Sequence, residues 1–197
     1  MKNLSEMTDE ELALAYADGN NKAFDLLLSR NQSKLFSYIL FVVRDREKAE
    51  DVFQETFVKV ISKLQQGRYA TTGKFGAWLV RIAHNVIMDS YRERRSEKVV
   101  EPADTNDLSN RGNDELLDTN IECKYGNDHV RRDVKKIMNL LPTPQREVVY
   151  MRYYQQLSFK EIAECTNVSI NTALGRMRYA ILNMRRMARE HELQLEL

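Results

Sequence analysis

Several features that are common in other protein classes are scarce in this chain of 197 residues. It has only two cysteines, Cys123 and Cys165, which are too few for a disulfide scaffold or a set of zinc ligands. It has no run of about 18 apolar residues, which excludes a transmembrane helix, and its N-terminus has no apolar segment of signal-peptide length. These absences predict a cytoplasmic protein with free thiols.

Glycine and proline are also rare, with 7 Gly and 3 Pro in the whole chain. No proline precedes Pro102, and none lies between Pro102 and Pro142. An all-β or α/β protein needs more of these residues for its turns. The composition therefore predicts an all-α fold.

The formal net charge of +1 is an average over three unlike segments. Residues 1–95 carry 15 basic and 13 acidic side chains, and residues 130–197 carry 12 basic and 7 acidic. Residues 96–129 carry 3 basic and 9 acidic side chains and lose apolar periodicity, so they cannot offset the entropy cost of ordering. We predict two small helical domains, 1–95 and 130–197, joined by a flexible acidic linker, 96–129.

Local signals mark where several helices begin and end. Thr8 with Glu11 fits a capping box, which predicts a helix start. Thr143 and Pro144 fit the N-cap and first residue of another helix. Apolar residues between 75 and 95 recur at helical spacing and predict one long amphipathic helix with a basic end.

The sharpest signal lies in residues 158–178. Ser158 and Glu161 fit a capping box, Asn167 can adopt the left-handed conformation of a tight turn, and Ser169 can cap a longer helix. This order is typical of a helix-turn-helix. The second helix, residues 169–189, has five arginines and no acidic residue, so it can enter a major groove. A plain amphipathic helix with a solvated basic face is the less favoured alternative.

Two other polar groups allow several interpretations. Asp51, Gln54 and Glu55 share a helix face that fits a solvated surface, a metal site or acid–base chemistry. No histidine or third acid accompanies them at a suitable spacing, so catalysis is weakly supported. A second group, the basic helix end with Arg92, Arg94 and Arg95, can bind phosphates or complement the helix dipole.

Together these stretches resemble the sigma-70 family of RNA polymerase sigma factors, in its extracytoplasmic-function (ECF) group. Residues 45–57 look like the second conserved region of the family, and residues 75–85 like the Trp-Leu, Ile-Ala, Asn pattern that follows it. Residues 141–178 look like the fourth region. The resemblance covers nearly the whole chain and implies two helical domains, the second a helix-turn-helix.

The resemblance implies a subunit that binds core RNA polymerase and directs promoter-specific initiation. Such a protein is not an enzyme and has no cofactor, no metal and no small-molecule substrate. The resemblance also implies an anti-sigma partner, often membrane-bound, which covers the polymerase-binding surfaces.

The sites that the resemblance implies fall into three groups. Asp51, Gln54 and Glu55 would bind the coiled coil of the polymerase beta-prime subunit, and the protein would also contact the beta flap. The minus-ten promoter element would be bound by the loop at 67–74 and by Lys74, Asn85, Arg92, Arg94 and Arg95. The minus-thirty-five element would be read as duplex by Ser169, Asn171, Thr172, Gly175, Arg176 and Arg178.

Two positions depart from the family pattern, and two other functions stay open. Asn167 stands where the family usually has a turn glycine. At Leu174, where a basic or polar residue is common, we expect an apolar contact with a thymine methyl group, with polymerase or with a regulator. A stand-alone helix-turn-helix regulator would form a dimer and bind palindromic duplex without polymerase. A metal-dependent nuclease would use Asp51 and Glu55, although a third ligand is missing.

Overall fold

The computed structural model describes residues 3–69, 74–98 and 128–190, and every regular element within these ranges is helical. A short 3₁₀ helix, Leu4–Glu6, precedes eight α-helices: α1 (Asp9–Ala17), α2 (Asn21–Val43), α3 (Arg46–Gln65), α4 (Phe75–Lys98), α5 (Asp128–Leu140), α6 (Thr143–Tyr153), α7 (Phe159–Thr166) and α8 (Ile170–Glu190). The prediction of an all-α fold is confirmed. None of the described helices combines the length and the hydropathy needed to cross a membrane.

The chain divides into two compact units between residues 120 and 121. The predicted linker, 96–129, lies outside the described residues except at its two ends. There, α4 continues to Lys98 and α5 begins at Asp128, so both helices reach into the segment whose charge pattern predicts a linker.

The N-terminal unit is a bundle in which α1 to α4 pack around one apolar core. Helix α2 runs unbroken for 23 residues and ends at Arg44, whose φ of 60° is left-handed. The largest fully buried side chains of this unit include Leu12, Leu27, Leu35, Tyr38, Ile39, Leu64, Phe75 and Ile87. Burying a large apolar side chain contributes about 1.5–3 kcal/mol relative to leaving it in water. This burial leaves the polar faces of α3 and α4 outside.

Caps and a glycine define the ends of α1 and α3. The predicted capping box of α1 is confirmed: the Glu11 N–H donates to Thr8 Oγ1 over 3.2 Å, and the Thr8 N–H donates to Glu11 Oε2 over 2.9 Å. At the start of α3, Asp45 Oδ1 accepts a hydrogen bond of 3.2 Å from the N–H of Lys48. After α3, Gly67 takes a φ of 63°, which costs glycine little because it has no Cβ.

The C-terminal unit consists of α5 to α8. Its core contains Ile137, Met138, Met151, Ile162 and Ala173. The prediction that Thr143 is an N-cap is wrong by one residue. The N-cap is Pro142, which has extended backbone angles, and Thr143 is already helical, so Pro144 lies one position later than predicted.

Candidate nucleic-acid and protein interfaces

Helices α7 and α8 form the predicted helix-turn-helix. The Glu161 N–H donates to Ser158 Oγ over 3.2 Å, and the Ser158 N–H donates to Glu161 Oε2 over 2.7 Å, which is a capping box. Asn167 ends α7 in the left-handed conformation, with φ 52° and ψ 47°. The N–H of Val168 then reaches back to the carbonyl of Ala163 over 3.0 Å. After this tight turn, residues 169–172 at the start of α8 are exposed, and Ala173 is buried.

The first turn of α8 presents three of the residues predicted to contact the minus-thirty-five element. Ser169, Asn171 and Thr172 are all exposed. Ser169 Oγ accepts the N–H of Thr172 over 3.0 Å and lies 2.8 Å from Thr172 Oγ1. The two hydroxyl groups are therefore held in a fixed arrangement next to the free amide of Asn171.

The remaining three predicted residues of α8 do not share one face. Arg176 lies one turn after Thr172, on the same side of the helix, and is half-buried. Arg178 is exposed and lies about 200° around the axis from Arg176. Around the helix axis, Gly175 lies between these two arginines, and a Cβ there would meet open space. The structure therefore places Arg176 one turn after Thr172 and Arg178 two turns after Asn171, on two different sides of α8.

Arg178 lines an apolar groove that the sequence analysis did not predict. We define the α8 groove by its lining residues, Phe159, Leu174, Met177, Arg178, Ile181, Leu182 and Arg185. Leu174 and Leu182 are 43% and 49% exposed. The spacing of 174, 178, 181, 182 and 185 is that of one helix stripe, which is the signal that could have found it. Leu174 thus belongs to a surface with other apolar side chains.

Helix α3 presents the predicted acidic face together with an apolar side chain. Asp51, Gln54 and Glu55 are exposed, and Glu55 Oε1 forms an ion pair of 2.7 Å with Lys59 Nζ. Val58 lies on the same face at i+7 from Asp51 and is 66% exposed. The sequence analysis missed Val58, although its spacing from the three polar residues could have identified it. Within the described ranges, no group of three or more His, Cys, Asp or Glu side chains could hold a metal ion.

The residues predicted to bind the minus-ten element are spread along α4. Lys74, just before the helix, and Asn85 are exposed, and Arg92 forms an ion pair of 3.1 Å with Asp89. Lys74 and Arg92 are separated by about 27 Å of helix rise. The side chain of Arg95 and residues 70–73 of the predicted loop lie outside the described residues.

Arg94 is half-buried and lies near the start of α3. Hydrogen bonds from the Lys48 side chain and backbone hold the pKa of Asp45 below its ordinary value, and the positive charges of Lys48 and Arg94 add to this effect. The Arg94 guanidinium therefore acts on a carboxylate of its own unit. The direct ion-pair partner of Asp45 is Lys48, whose Nζ lies 2.6 Å from Asp45 Oδ2.

Comparison with family models covers both units. A model of Sigma-70 region 2 matches residues 27–97, which contain most of α2, all of α3 and nearly all of α4. A model of Sigma-70 region 4 matches residues 131–176, from α5 to the second turn of α8.

Comparison with curated proteins and solved structures gives matches along most of the chain. The chain is 29% identical over 180 residues to the RNA polymerase sigma-H factor of Pseudomonas aeruginosa, covering 88% of this chain and 90% of that protein. It is 28% identical to the ECF RNA polymerase sigma-E factor of Haemophilus influenzae, with coverage of 87% and 90%.

Two solved structures share the fold. One is the sigma factor RpoE in complex with the anti-sigma factor NepR from Bartonella quintana, with a TM-score of 0.65, 22% identity, and coverage of 85% of this chain and 98% of that one. The other is CnrH in complex with the cytosolic domain of CnrY, with a TM-score of 0.62, 24% identity, and coverage of 92% and 97%.

Proposed function

The chain belongs to the sigma-70 family of RNA polymerase sigma factors, in its extracytoplasmic-function group, and on that premise we propose how it binds polymerase and promoter. It binds core RNA polymerase in the cytoplasm and directs initiation at specific promoters, while the polymerase carries out the chemistry. The observation that carries this proposal is α8, which has an exposed polar first turn and five arginines before its first acidic residue, Glu190. This is the charge and geometry of a helix that reads a major groove.

For the minus-thirty-five element, we propose that the first turn of α8 contacts base edges. Asn171 has a free amide that can form a bidentate pair with adenine, and Arg176 can form one with guanine; each such pair contributes about 1–3 kcal/mol of discrimination. Ser169, Thr172 and Gly175 line the same approach, and the missing side chain of Gly175 lets DNA come close. Arg178, two turns after Asn171 on the same side of α8, contacts a phosphate at the edge of the groove.

For the minus-ten element, we propose that α4 binds along its length. Lys74 and Asn85 supply the exposed contacts at and after its start. Arg92, Arg94 and Arg95 contact phosphates near its end, where Arg92 exchanges Asp89 for a phosphate. The contact of Arg92 is weaker than that of an unpaired arginine because Asp89 competes for its guanidinium.

For polymerase binding, we propose that the exposed face of α3 docks on the beta-prime coiled coil. Asp51, Gln54 and Glu55 supply charge and hydrogen-bond acceptors, and Val58 supplies the apolar centre that protein interfaces need. The beta flap contacts the C-terminal unit. Holding both units on one polymerase raises their effective concentration on DNA, so each unit needs only modest affinity of its own. The acidic segment 96–129 serves as the linker between the minus-ten-binding and minus-thirty-five-binding domains.

We also propose an anti-sigma partner for this chain. RpoE, which shares its fold, was solved in complex with the anti-sigma factor NepR, and CnrH was solved in complex with the cytosolic domain of CnrY. The α8 groove has an apolar floor and the cations Arg178 and Arg185 at its rim. This surface fits an acidic amphipathic helix.

Co-elution with bacterial core polymerase tests the proposed function. The wild-type chain should co-elute in gel filtration, and Asp51→Ala and Glu55→Ala should each weaken the complex. Asp25→Ala, which removes an exposed aspartate from α2, is the matched control and should bind as the wild type does. A wild-type chain that fails to co-elute without any inhibitor present, or that binds palindromic duplex as a dimer on its own, would contradict the proposal.

A further inference from the structure

Helix α1 holds both chain segments that flank residues 70–73. Gln65, the last residue of α3, donates a hydrogen bond of 3.1 Å from Nε2 to the hydroxyl of Tyr16. Phe75, the first residue of α4, donates its N–H to Glu10 Oε1 over 2.9 Å. One short helix is therefore bonded to the end of α3 and to the start of α4.

The contact between Glu10 and Phe75 acts as a cap supplied from a distant part of the chain. The first N–H groups of a helix have no partner within the helix, and a carboxylate there also interacts favourably with the helix dipole. Glu10 provides this acceptor from 65 residues earlier in the sequence. The hydrogen bond from the Phe75 backbone lowers the pKa of Glu10 from its ordinary value, so the carboxylate is ionised at neutral pH.

The same carboxylate lies beside an aromatic cluster that packs on the start of α4. The Tyr69 ring centre is 4.9 Å from that of Trp78 and 5.7 Å from that of Phe75. Burial, with the negative charges of Glu10 and Asp9, raises the pKa of Tyr69 to about 12. Glu10 therefore acts on Tyr69, the residue before the flanked segment, and accepts a hydrogen bond from Phe75, the first residue of α4.

Helix α2 fixes the end of α1 that carries Glu10. Asn31 Nδ2 donates to Asp9 Oδ2 over 2.8 Å, and Arg30 Nη1 lies 3.3 Å from Asp9 Oδ1. Arg30 Nη2 also donates to the carbonyl of Ser5 over 2.8 Å. Because Asp9 is held at two points, the neighbouring Glu10 has little freedom to follow α4 if α4 moves.

We propose that Glu10 is a positioning residue for minus-ten recognition, because its hydrogen bond to Phe75 sets where α4 begins and thereby where Lys74 and Asn85 stand. The inference rests on the proposed function, in which these two exposed residues contact the promoter. Glu10 itself is an anionic group and binds no DNA. Its contribution is to hold α4, the DNA-binding helix, in one place while the two promoter strands separate.

The test compares Glu10→Ala with Glu10→Gln in the full chain bound to core polymerase. Two templates are transcribed. The first is a promoter that the wild-type holoenzyme selects from a random duplex library, and the second is a copy of it with one substituted minus-ten base. Glu10→Ala should reduce the ratio of transcripts from the two templates about tenfold, the lower end of what the loss of a hydrogen bond to a charged group costs. Glu10→Gln should restore most of the ratio because its amide oxygen can still accept the Phe75 N–H. Glu6→Ala, four residues earlier and exposed, is the matched control and should leave the ratio unchanged.

The outcomes separate this inference from the function on which it rests. An unchanged ratio in Glu10→Ala, even with lower thermal stability, would overturn the positioning role and leave a structural one. A wild-type holoenzyme that selects no promoter would refute the proposed function instead. If Glu10→Ala does not fold, Glu10→Asp, whose carboxylate is shorter by one methylene, supports the inference if it lowers the ratio and overturns it if it does not.

Discussion

The hydroxyl oxygens of Ser169 and Thr172 lie 2.8 Å apart at the start of α8. Both residues are proposed to contact the promoter, yet Ser169 Oγ also caps the helix by accepting the N–H of Thr172. The Ser169 hydroxyl therefore stabilises the start of α8, whereas the Thr172 hydroxyl contributes less to its stability. Single substitutions can separate the capping of α8 from its reading of DNA.

Ser169→Ala should lower the free energy of unfolding by about 1 kcal/mol, the usual cost of losing an N-cap side chain. Ser169→Asp should retain most of that stability because its carboxylate can accept the same N–H. Thr172→Val should change stability by less than about 0.5 kcal/mol. Urea unfolding of the full chain measures all three, and equal stabilities of Ser169→Ala and Thr172→Val would contradict the prediction.

Arg176→Ala and Arg189→Ala should affect DNA binding in different ways. Arg176→Ala should weaken holoenzyme binding by about 1–3 kcal/mol and relax the preference at one base pair. Arg189, the last of the five arginines of α8, is exposed, and we expect it to contact a phosphate. Arg189→Ala should therefore leave the preference intact and reduce the slope of log affinity against log salt by about 0.9, the value for one phosphate contact. Titrations of a selected duplex at several salt concentrations measure both effects. A salt slope that is insensitive to Arg189 would remove it from the phosphate contacts.

Val58→Asp should weaken binding to core polymerase without destabilising the chain. The Val58 side chain is 66% exposed, so its replacement should change stability by less than about 0.5 kcal/mol. Val60→Ala is the contrasting variant: Val60 is fully buried, and we expect it to cost about 1–3 kcal/mol of stability. Polymerase titration and thermal unfolding distinguish the two, and full polymerase affinity in Val58→Asp would exclude Val58 from the interface.

Two carboxylates should make the N-terminal unit sensitive to acid. The pKa values of Glu10 and Asp45 are lowered in the folded chain, so the unfolded chain binds more protons at acidic pH. Their stabilising contribution is present above the ordinary carboxyl pKa of about 4 and is lost as pH falls through the lower folded values. The double variant Glu10→Gln, Asp45→Asn should therefore lose less stability than the wild type between neutral pH and about pH 3. Urea midpoints across that range provide the measurement, and parallel curves would contradict it.

Local sequence signals predicted the caps and the helix-turn-helix because the groups involved lie within a few residues of each other. The Ser158–Glu161 box and the left-handed Asn167 follow from propensity and hydrogen bonding at short range. The error at Thr143 arose because both Thr143 and Pro142 can precede a helix that carries a proline in its first turn. Such shifts of one residue are common at helix ends.

Tertiary packing decided the features that the sequence could not predict. The acceptor of the Phe75 N–H is a carboxylate 65 residues away, and no local pattern pairs them. The α8 groove depends on how Phe159 of α7 lies against Leu174 and Leu182. The effect of the Arg94 charge on the pKa of Asp45 likewise follows from the packing of α3 against α4.

Helix α8 is long enough to bind DNA at its first turn and a protein near its other end. Its 21 residues span about 31 Å. The first turn, with Asn171 and Thr172, lies about 15–21 Å along the axis from Leu182 and Arg185. A protein bound at the far end of the groove would therefore leave the first turn uncovered, whereas one that extended to Leu174 and Arg178 would compete with DNA. A partner segment that covers only the far end of the groove would allow DNA binding, and a longer segment would inhibit it. The length of the bound segment therefore decides whether the partner inhibits.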